Sequence, residues 1–233
     1  MLGRIMGSKL YLRKGSNSNL SSSSSSMGSK LHFRTKTTTS STNQHPYPYP
    51  TTTTPSSSSM DRFVRDRCKS GNLGFNEALD LFDRLFQIRP LPSIYPFNQL
   101  LGVLVKIKHY HWVFYLSRLM LLAGIQPDIV NLSTLINSYC CIGKVDLGFA
   151  VFGSILKRGL EPDAFTFTHL LKGVSRKGNA MQVMELFNKM LDNDYPVDVV
   201  TYGVVVDGFC KTNNTAVALS LMRKMEKTNI RAN

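Results

Sequence analysis

The stretch "GIQPDIVNLSTLINSYC", residues 124–140, is closely matched thirty-five residues later by "GLEPDAFTFTHLLKGVS", residues 159–175. In both copies a glycine and a proline, which end helices, precede an aspartate, which is a favoured cap for the start of the next helix. An apolar run with helical spacing follows each aspartate. A polar residue recurs at the same interval along the chain, at Asp128, Asp163, Asp198 and Asn233. A fixed period of this length predicts a repeat architecture.

Units that end on this recurrent residue span residues 94–128, 129–163, 164–198 and 199–233. Within each unit the fourth, seventh and eighth residues are apolar, which places them on one face of a helix. The fourth residues are Phe97, Leu132, Phe167 and Tyr202. A second apolar set, which predicts a second helix, begins at Leu116, Val151, Leu186 and Leu221.

Residues that tolerate a left-handed backbone, mostly Gly, Asn and Asp, follow both predicted helices of a unit. After the first helix they are Lys108, Gly143, Gly178 and Asn213, and after the second they are Gly124, Gly159, Asp194 and Asn229. Each unit is therefore predicted to be a helical hairpin. Because one hairpin cannot bury its own apolar faces, neighbouring hairpins must stack. The predicted fold class is all-α, an α-solenoid of 35-residue helix-turn-helix repeats.

Two segments precede these four units. Residues 60–93 match the pattern if two residues are inserted near Leu73–Phe75, which predicts a degenerate capping repeat. In residues 1–59 the first fifteen residues are basic and weakly amphipathic, and residues 16–59 contain 24 Ser or Thr in 44. This composition predicts an organellar transit peptide followed by a disordered Ser/Thr-rich segment. A plain disordered tail is the alternative.

The bulk composition argues against several functions. The net charge is +13, but residues 1–60 hold seven basic residues and no acid, which leaves +6 for residues 61–233. No apolar run reaches the roughly 20 residues that a membrane helix needs. Neither the four cysteines nor the histidines have metal-ligand spacing, and no nucleophile–base pair or Gly-rich phosphate loop is visible. We expect no enzyme activity, cofactor, metal, small-molecule substrate or membrane partner.

The motif "VVTYGVVVDGFCK", with "ALSLMRKMEKTNI" after it, resembles the pentatricopeptide repeat family of organellar RNA-binding proteins. The resemblance covers residues 61–233 and is of the P type. The stretch "ALDLFDRLFQIRPLPSIYPFNQLLGVLVKIKHY" resembles the restorer-of-fertility-like subgroup, whose members are mitochondrial. The resemblance implies a mitochondrial location, with the plastid as the alternative. It also implies single-stranded RNA as the partner, with about one base bound by each repeat.

The resemblance implies that two residues of each unit read the base. The first is the fifth residue of the unit, which we call the reader residue: Asn98, Ser133, Thr168 and Gly203. The second is the last residue, which we call the closing residue: Asp128, Asp163, Asp198 and Asn233. Asn with Asp resembles a uracil reader, and Ser or Thr with Asp resembles a guanine reader. Gly203 departs from the pattern, so the expected sequence is 5′-U-G-G-(A/C)-3′ with a weak last base. Plain helix capping is the alternative role of the aspartates.

The resemblance also assigns two further sets of residues. The second residue of each unit, here called the wall residue, would stack on the bases: Tyr95, Val130, Phe165 and Val200. Alternatively, these side chains belong to the core. The thirteenth residue, here called the cation residue, would contact phosphate: Lys106, Arg176 and Lys211. Cys141 takes this place in the second unit, so a contact is expected to be lost there. Ordinary solvated charge is the alternative role of the three cations.

The predicted function is sequence-specific RNA binding in mitochondrial RNA processing, stability or translation. Processing or translation factors are possible recruited partners. Two other functions stay open at this point. The same solenoid surface would suit a scaffold for protein–protein interaction, and the chain would also fit a truncated repeat protein with little function. Salt-sensitive RNA binding distinguishes the first function from the second.

Overall fold

The computed structural model describes the backbone of residues 57–227 and the side chains of residues 58–225. This part of the chain consists of α-helices of thirteen residues and has no strand. The helices are α1 Ser57–Lys69, α2 Phe75–Gln87, α3 Ile94–Lys106, α4 Tyr110–Leu122, α5 Ile129–Cys141, α6 Val145–Lys157, α7 Ala164–Arg176, α8 Ala180–Asp192, α9 Val199–Lys211 and α10 Thr215–Lys227. The predicted all-α class is confirmed. The predicted transit segment, up to residue 56, and Asn229 and Asn233 lie outside the described residues.

The helix boundaries repeat with the period seen in the sequence. First helices begin at residues 94, 129, 164 and 199, and second helices begin at 110, 145, 180 and 215. Three residues join the two helices of each of these hairpins, for example Ile107–His109. In the leading hairpin, α1 and α2 are joined by the five residues 70–74. These two additional residues place the start of α1 thirty-seven residues before that of α3.

The hairpin turns rely on a left-handed residue at each helix end. Gly143 and Gly178 have φ of 76° and 71°, and the residues in the same column, Lys108 and Asn213, have φ of 63° and 59°. Lysine rarely adopts this conformation, since its Cβ crowds the backbone. The packing of the hairpin therefore imposes a left-handed backbone on Lys108 against the conformational preference of lysine.

The helices form two layers. The first helices α1, α3, α5, α7 and α9 pack against one another in chain order. In the four later hairpins each second helix packs against the first helix of its own hairpin. In the leading hairpin Arg67 of α1 donates to Glu77 of α2. The helices α2, α4, α6 and α8 also pack against the first helix of the following hairpin. Every hairpin thus contacts its sequence neighbours, which is the arrangement of an α-solenoid.

The predicted apolar faces form the core between the layers. Phe97, Leu132, Phe167 and Tyr202 are at most 5% exposed, and Met120, Ile155 and Met190 on the second helices are at most 2% exposed. Burying one such side chain stabilises the fold by about 1.5–3 kcal/mol. The stacking of hairpins is therefore driven by the same two stripes that repeat in the sequence.

Small residues let the first helices approach closely. A Cβ added at Gly173 would lie 2.5 Å from the Cys140 Sγ, and one added at Gly208 would lie 2.9 Å from the Ser175 Oγ. Cys140 is buried, and burial raises the pKa of its thiol to about 11. The sequence predicts a buried core position for Cys210 in the same column, but Cys210 is exposed. In the described part of the chain no further first helix packs against α9, so this prediction is wrong for that residue.

No helix among residues 57–227 is both long enough and apolar enough to span a bilayer.

Candidate functional site

The reader and closing residues of the first unit are in direct contact. The Asn98 Nδ2 donates to Oδ1 and Oδ2 of Asp128, at 2.9 Å each. Asp128 Oδ1 also accepts from the backbone N–H of Asn131 at 2.8 Å and thereby caps α5. One carboxylate therefore both caps the next helix and contacts the reader residue. The capping role and the pairing with the reader residue are compatible in this unit.

In the second unit a third residue bridges the predicted pair. Thr166 Oγ1 donates to Asp163 Oδ1 at 2.7 Å, and it lies 2.6 Å from Ser133 Oγ. Because the single hydroxyl hydrogen of Thr166 is used on the carboxylate, Ser133 must be the donor to Thr166. The backbone N–H of Thr166 also donates to Asp163 Oδ1, at 2.8 Å. A directed chain of hydrogen bonds therefore connects the reader residue to the closing residue.

The third unit has the same bridge, but the distance between its two hydroxyl oxygens is longer. Thr168 Oγ1 lies 3.4 Å from Thr201 Oγ1, which donates to Asp198 Oδ1 at 2.7 Å. Burial alone would raise the pKa of Asp198, but hydrogen bonds from the Thr201 hydroxyl and backbone N–H hold that pKa below its ordinary value. Asp198 is thus kept ionised as an acceptor. In the fourth unit Gly203 is described, whereas Asn233 lies outside the described residues.

Sequence reasoning missed the two bridging residues, Thr166 and Thr201, each of which occupies the third place of its unit. Both side chains are fully buried. Asn131, at the same place after Asp128, makes no bridge, since its side chain contacts Ser117. The available signal was a polar residue three positions after a capping aspartate, which is the spacing of a reciprocal helix cap. The structure shows this reciprocal cap fully at Asp198 and Thr201.

The reader residues are recessed between the first helices. Asn98, Ser133 and Thr168 are 7%, 5% and 4% exposed. Of the closing aspartates beside them, Asp128 and Asp163 are half-buried and Asp198 is exposed. A base edge would therefore meet the carboxylates near the surface and the reader residues at the floor of the groove.

The wall residues stand out into solvent. Their exposed fractions are 48% for Tyr95, 51% for Val130, 70% for Phe165 and 51% for Val200. The alternative placement in the core is thus excluded. An exposed apolar side chain therefore recurs at the second place of each of the four units and is available for contact with another molecule.

The three cation residues are the last residues of their helices and are exposed. The Lys211 Nζ lies 2.5 Å from Asp207 Oδ2, one turn earlier on α9. The Arg176 Nη1 lies 3.3 Å from the Sγ of Cys141, which occupies the cation place of the preceding unit. The Arg176 guanidinium therefore lies between the cation place of its own unit and that of the preceding unit. It supplies a positive charge near Cys141, where the sequence has no cation.

One cleft brings residues from the different sets together. It has a volume of about 440 Å³, lies between α7 and α9, and is lined by Val200, Gly203, Arg176 and Lys211 among others. A larger cleft of about 500 Å³ lies between α6 and α8 and contains none of the predicted site residues. The smaller cleft combines two apolar side chains, Val200 and Val204, with three cations and the carboxylate of Asp207.

Among the described residues no group of three His, Cys, Asp or Glu side chains could hold a metal ion. His169 is half-buried, and its Nδ1 has no hydrogen-bond partner. Burial lowers the pKa of His169 to about 4, so this side chain is neutral at pH 7.

Family models match the repeats directly. Residues 127–176 and 165–211 match the PPR repeat family, and residues 200–230 match the PPR repeat. Two Arabidopsis thaliana pentatricopeptide repeat-containing proteins named as mitochondrial are 36% identical over 95 residues and 40% identical over 76 residues. These matches cover 40% and 33% of this chain but only 15% and 14% of the relatives. The family models together match residues 127–230 of this chain.

Solved structures show the same fold. The pentatricopeptide repeat protein PPR10, in complex with an 18-nucleotide psaJ RNA element, superposes with a TM-score of 0.64 at 22% identity, over 76% of this chain and 26% of that one. The PPR domain of Arabidopsis thaliana protein-only RNase P 1, in complex with tRNA, gives a TM-score of 0.60 at 16% identity, over 75% and 91% of the two chains. At these identities the likeness establishes the solenoid fold.

Proposed function

We propose that this chain of pentatricopeptide repeats is a non-enzymatic, sequence-specific binder of single-stranded RNA in the mitochondrion. It holds about one base per repeat and reads approximately 5′-U-G-G-(A/C)-3′ through the reader and closing residues. The observation that carries this proposal is the Asn98–Asp128 pair, which leaves a buried acceptor without a partner at the floor of the groove.

The chemistry of this pair suits uracil. The Asn98 amide must direct its NH₂ group toward the Asp128 carboxylate, since its oxygen would be repelled there. The Asn98 Oδ1 is then buried and unpartnered. An unmade hydrogen bond of this kind costs about 1–3 kcal/mol. The N3–H of uracil is a donor on the Watson–Crick edge, and its hydrogen bond to Asn98 Oδ1 would remove that cost.

The second and third units offer a different pattern. Their hydroxyl–hydroxyl–carboxylate chains end on Oδ1 of Asp163 and of Asp198, and the Oδ2 atoms take no part in these chains. Guanine presents two adjacent N–H donors on its Watson–Crick edge, and a carboxylate is an acceptor-only group. We therefore assign guanine to both units, in agreement with the resemblance to guanine readers.

The wall residues supply affinity that does not depend on the base. Stacking of a base on such a side chain contributes about 1–3 kcal/mol by substitution to alanine. The Phe165 ring, 70% exposed, has the largest free surface of the four wall residues. The bases would therefore alternate with these side chains along the groove.

The cation residues would contact phosphates of the RNA backbone and thereby make binding sensitive to salt. Three phosphate contacts predict a slope of about −2 for log K against log salt, since each contact to a single strand contributes about −0.7. Arg176 would serve two neighbouring phosphates because it already reaches from its own column to Cys141. A moderate affinity follows from only three contacts of this kind.

The cellular role rests on the relatives. Similar Arabidopsis proteins are named mitochondrial, which supports this location over the plastid. Solved neighbours include proteins bound to a psaJ RNA element and to tRNA. We place the chain in the P type and the restorer-of-fertility-like subgroup. It would act by occupying a transcript, and thereby block a nuclease or ribosome or recruit a processing or translation factor.

The test is an equilibrium titration of the full chain with short RNAs by fluorescence anisotropy. RNAs that contain U-G-G-A should bind at least about fivefold tighter than RNAs of the same composition in scrambled order, because each correctly read base is worth about 1–3 kcal/mol. Equal affinity for ordered and scrambled RNAs would refute sequence-specific reading.

A further inference from the structure

The larger cleft, of about 500 Å³, lies between the second helices α6 and α8, and α7 contributes Phe167 and Val174 to its lining. Ligand-binding clefts in proteins have volumes of about 300–1,000 Å³. The cleft contains no reader, closing, wall or cation residue. An occupant of this cleft would therefore leave those residues accessible to RNA.

Comparison with the preceding repeat shows which group this cleft lacks. The ring of Phe114 on α4 stacks on the ring of Tyr139 on α5, with the centroids 4.2 Å apart and an angle of 17° between the ring planes. One period later the equivalent residues are Phe149 on α6 and Val174 on α7, and both line the cleft. The ring on the second helix is thus kept, whereas its stacking partner on the following first helix is replaced by a small aliphatic side chain.

Val174 is the smallest of the eleventh residues of the four units. The others are Leu104, Tyr139 and Phe209. Val174 is buried, and Phe149 across from it is 38% exposed. Because both residues line the cleft, the cleft includes the place that the Tyr139 ring takes one repeat earlier.

The residues around this place suit an aromatic ring. Phe152 and Phe167 meet edge to face, with centroids 5.4 Å apart, and the centroid of Phe167 lies 4.5 Å from that of Tyr195. These three rings line the cleft together with Met190. Aromatic rings prefer edge-to-face and offset-stacked neighbours, and a methionine thioether makes favourable contacts with a ring. An inserted ring would therefore gain specific contacts as well as burial of its apolar area.

The charged residues of the cleft indicate what flanks the ring. The Lys189 Nζ lies 2.7 Å from Glu185 Oε1, so these two charges on α8 are paired. The Lys177 Nζ lies 3.5 Å from both carboxylate oxygens of Asp146, which is longer than an ordinary N–H···O hydrogen bond. The Asp146 side chain is 92% exposed, whereas that of Lys177 is 40% exposed. The charge that a partner meets is therefore the Asp146 carboxylate, and its complement is a cation.

Arginine is the cation that fits a carboxylate best, since its guanidinium forms two parallel hydrogen bonds to the two oxygens. Aromatic residues and arginine are also the side chains that contribute most to binding between proteins. We propose that the cleft is a docking site for a partner protein, which inserts an aromatic side chain between Phe149 and Val174 and pairs a neighbouring arginine with Asp146. This inference goes beyond RNA binding and does not depend on it, since the cleft shares no residue with the proposed RNA site.

The experiment uses the full chain and two dipeptides, N-acetyl-Tyr-Arg-amide and N-acetyl-Tyr-Glu-amide, whose binding is measured by saturation-transfer NMR. We expect the arginine dipeptide to bind about two- to fivefold tighter than the glutamate dipeptide, since an exposed charge pair has a modest effect. Asp146→Asn should remove this preference. The matched control is Asp66→Asn, which removes an exposed carboxylate from α1 and should keep the preference.

Three further variants test the place of the ring. Val174→Tyr introduces the residue of the preceding repeat, whose ring should fill the place and weaken binding of both dipeptides at least about fivefold. Val217→Tyr, at an exposed position on α10, is the control and should leave binding unchanged. Phe149→Ala removes a partly exposed ring from the cleft and should also weaken binding, so it decides the point if Val174→Tyr does not fold.

Several outcomes would overturn the inference. Failure of both dipeptides to bind the wild-type chain, or binding that survives in folded Val174→Tyr and Phe149→Ala variants, would refute the docking site. Equal affinity for the two dipeptides would refute the pairing of an arginine with Asp146. Binding of p-cresol as tight as that of the arginine dipeptide would show a site for small aromatic molecules instead of a partner protein. Self-association of the wild-type chain in sedimentation that Val174→Tyr abolishes would show that a second copy is the occupant.

RNA binding separates this inference from the proposed function. Val174→Tyr should keep the dependence of RNA binding on U-G-G, because Val174 is not among the proposed RNA-binding residues. Loss of that dependence in the wild-type chain would refute the proposed function and leave the docking site standing.

Discussion

The Asn98 amide contacts both carboxylate oxygens of Asp128, at 2.9 Å each, across thirty residues of chain. The same carboxylate caps α5 through the backbone N–H of Asn131. The helix boundary and the reader residue are thus coupled through one side chain. Because the capping bond holds the carboxylate in place, Asp128 orients Asn98 before any ligand arrives. The pair is preorganised, which lowers the entropic cost of binding.

Phe165 provides a test of the wall residues. Phe165→Ala should weaken binding of U-G-G-A RNA by about five- to a hundredfold, since it removes about 1–3 kcal/mol of stacking. The ring is 70% exposed, so the melting temperature should change little. Met181→Ala serves as the control, because Met181 is 79% exposed on the second helix α8 and should not affect RNA affinity. Equal losses in both variants would contradict a stacking role.

The cation residues control the salt dependence. Replacing Lys106, Arg176 and Lys211 together by alanine should reduce the slope of log K against log salt from about −2 toward zero. The anisotropy titration is repeated at several salt concentrations for wild type and variant. A control with Lys144, Lys157 and Arg158 replaced removes the same charge from α6 and its flanking residues. If this control lowered the slope as much, the effect would come from net charge rather than from phosphate contacts.

His169 predicts a pH dependence of folding. Burial lowers the pKa of His169 from 6.5 to about 4, so the folded chain holds this side chain neutral where the unfolded chain binds a proton. Stability should therefore fall as the pH drops from about 6.5 toward 4. His169→Gln should reduce this loss in urea denaturation at pH 7 and pH 5. His111→Gln, at an exposed position, should leave the loss unchanged. An unaltered loss in His169→Gln would show that other groups cause it.

The 35-residue period and the helix ends could be predicted from the sequence because both follow from local chemistry. The apolar stripes and the residues with a left-handed backbone recur along the chain. The left-handed backbone of Lys108 could therefore be predicted from the equivalent residues of the other units, although lysine disfavours it. The bridges at Thr166 and Thr201 could not be predicted in this way. They depend on how closely successive first helices approach, and that distance is set by Gly173 and Gly208 in contact with the preceding helix. Packing between hairpins also buries the reader residues, which the pattern of a single helix does not show.

The central claim is that Asn98 and Asp128 together select the first base. The most direct measurement is the binding of the full chain and of its Asn98→Thr variant to RNAs that contain U-G-G-A or G-G-G-A. A threonine in place of Asn98 would give the first unit the reader and closing residues of the third unit, Thr168 and Asp198, with Asn131 in the place of the bridging Thr201. We predict that the wild-type chain prefers U-G-G-A and that the variant prefers G-G-G-A, while Asn193→Thr, on the linker after α8, keeps the wild-type preference. An unchanged preference in a folded Asn98→Thr variant would contradict the assignment of this pair.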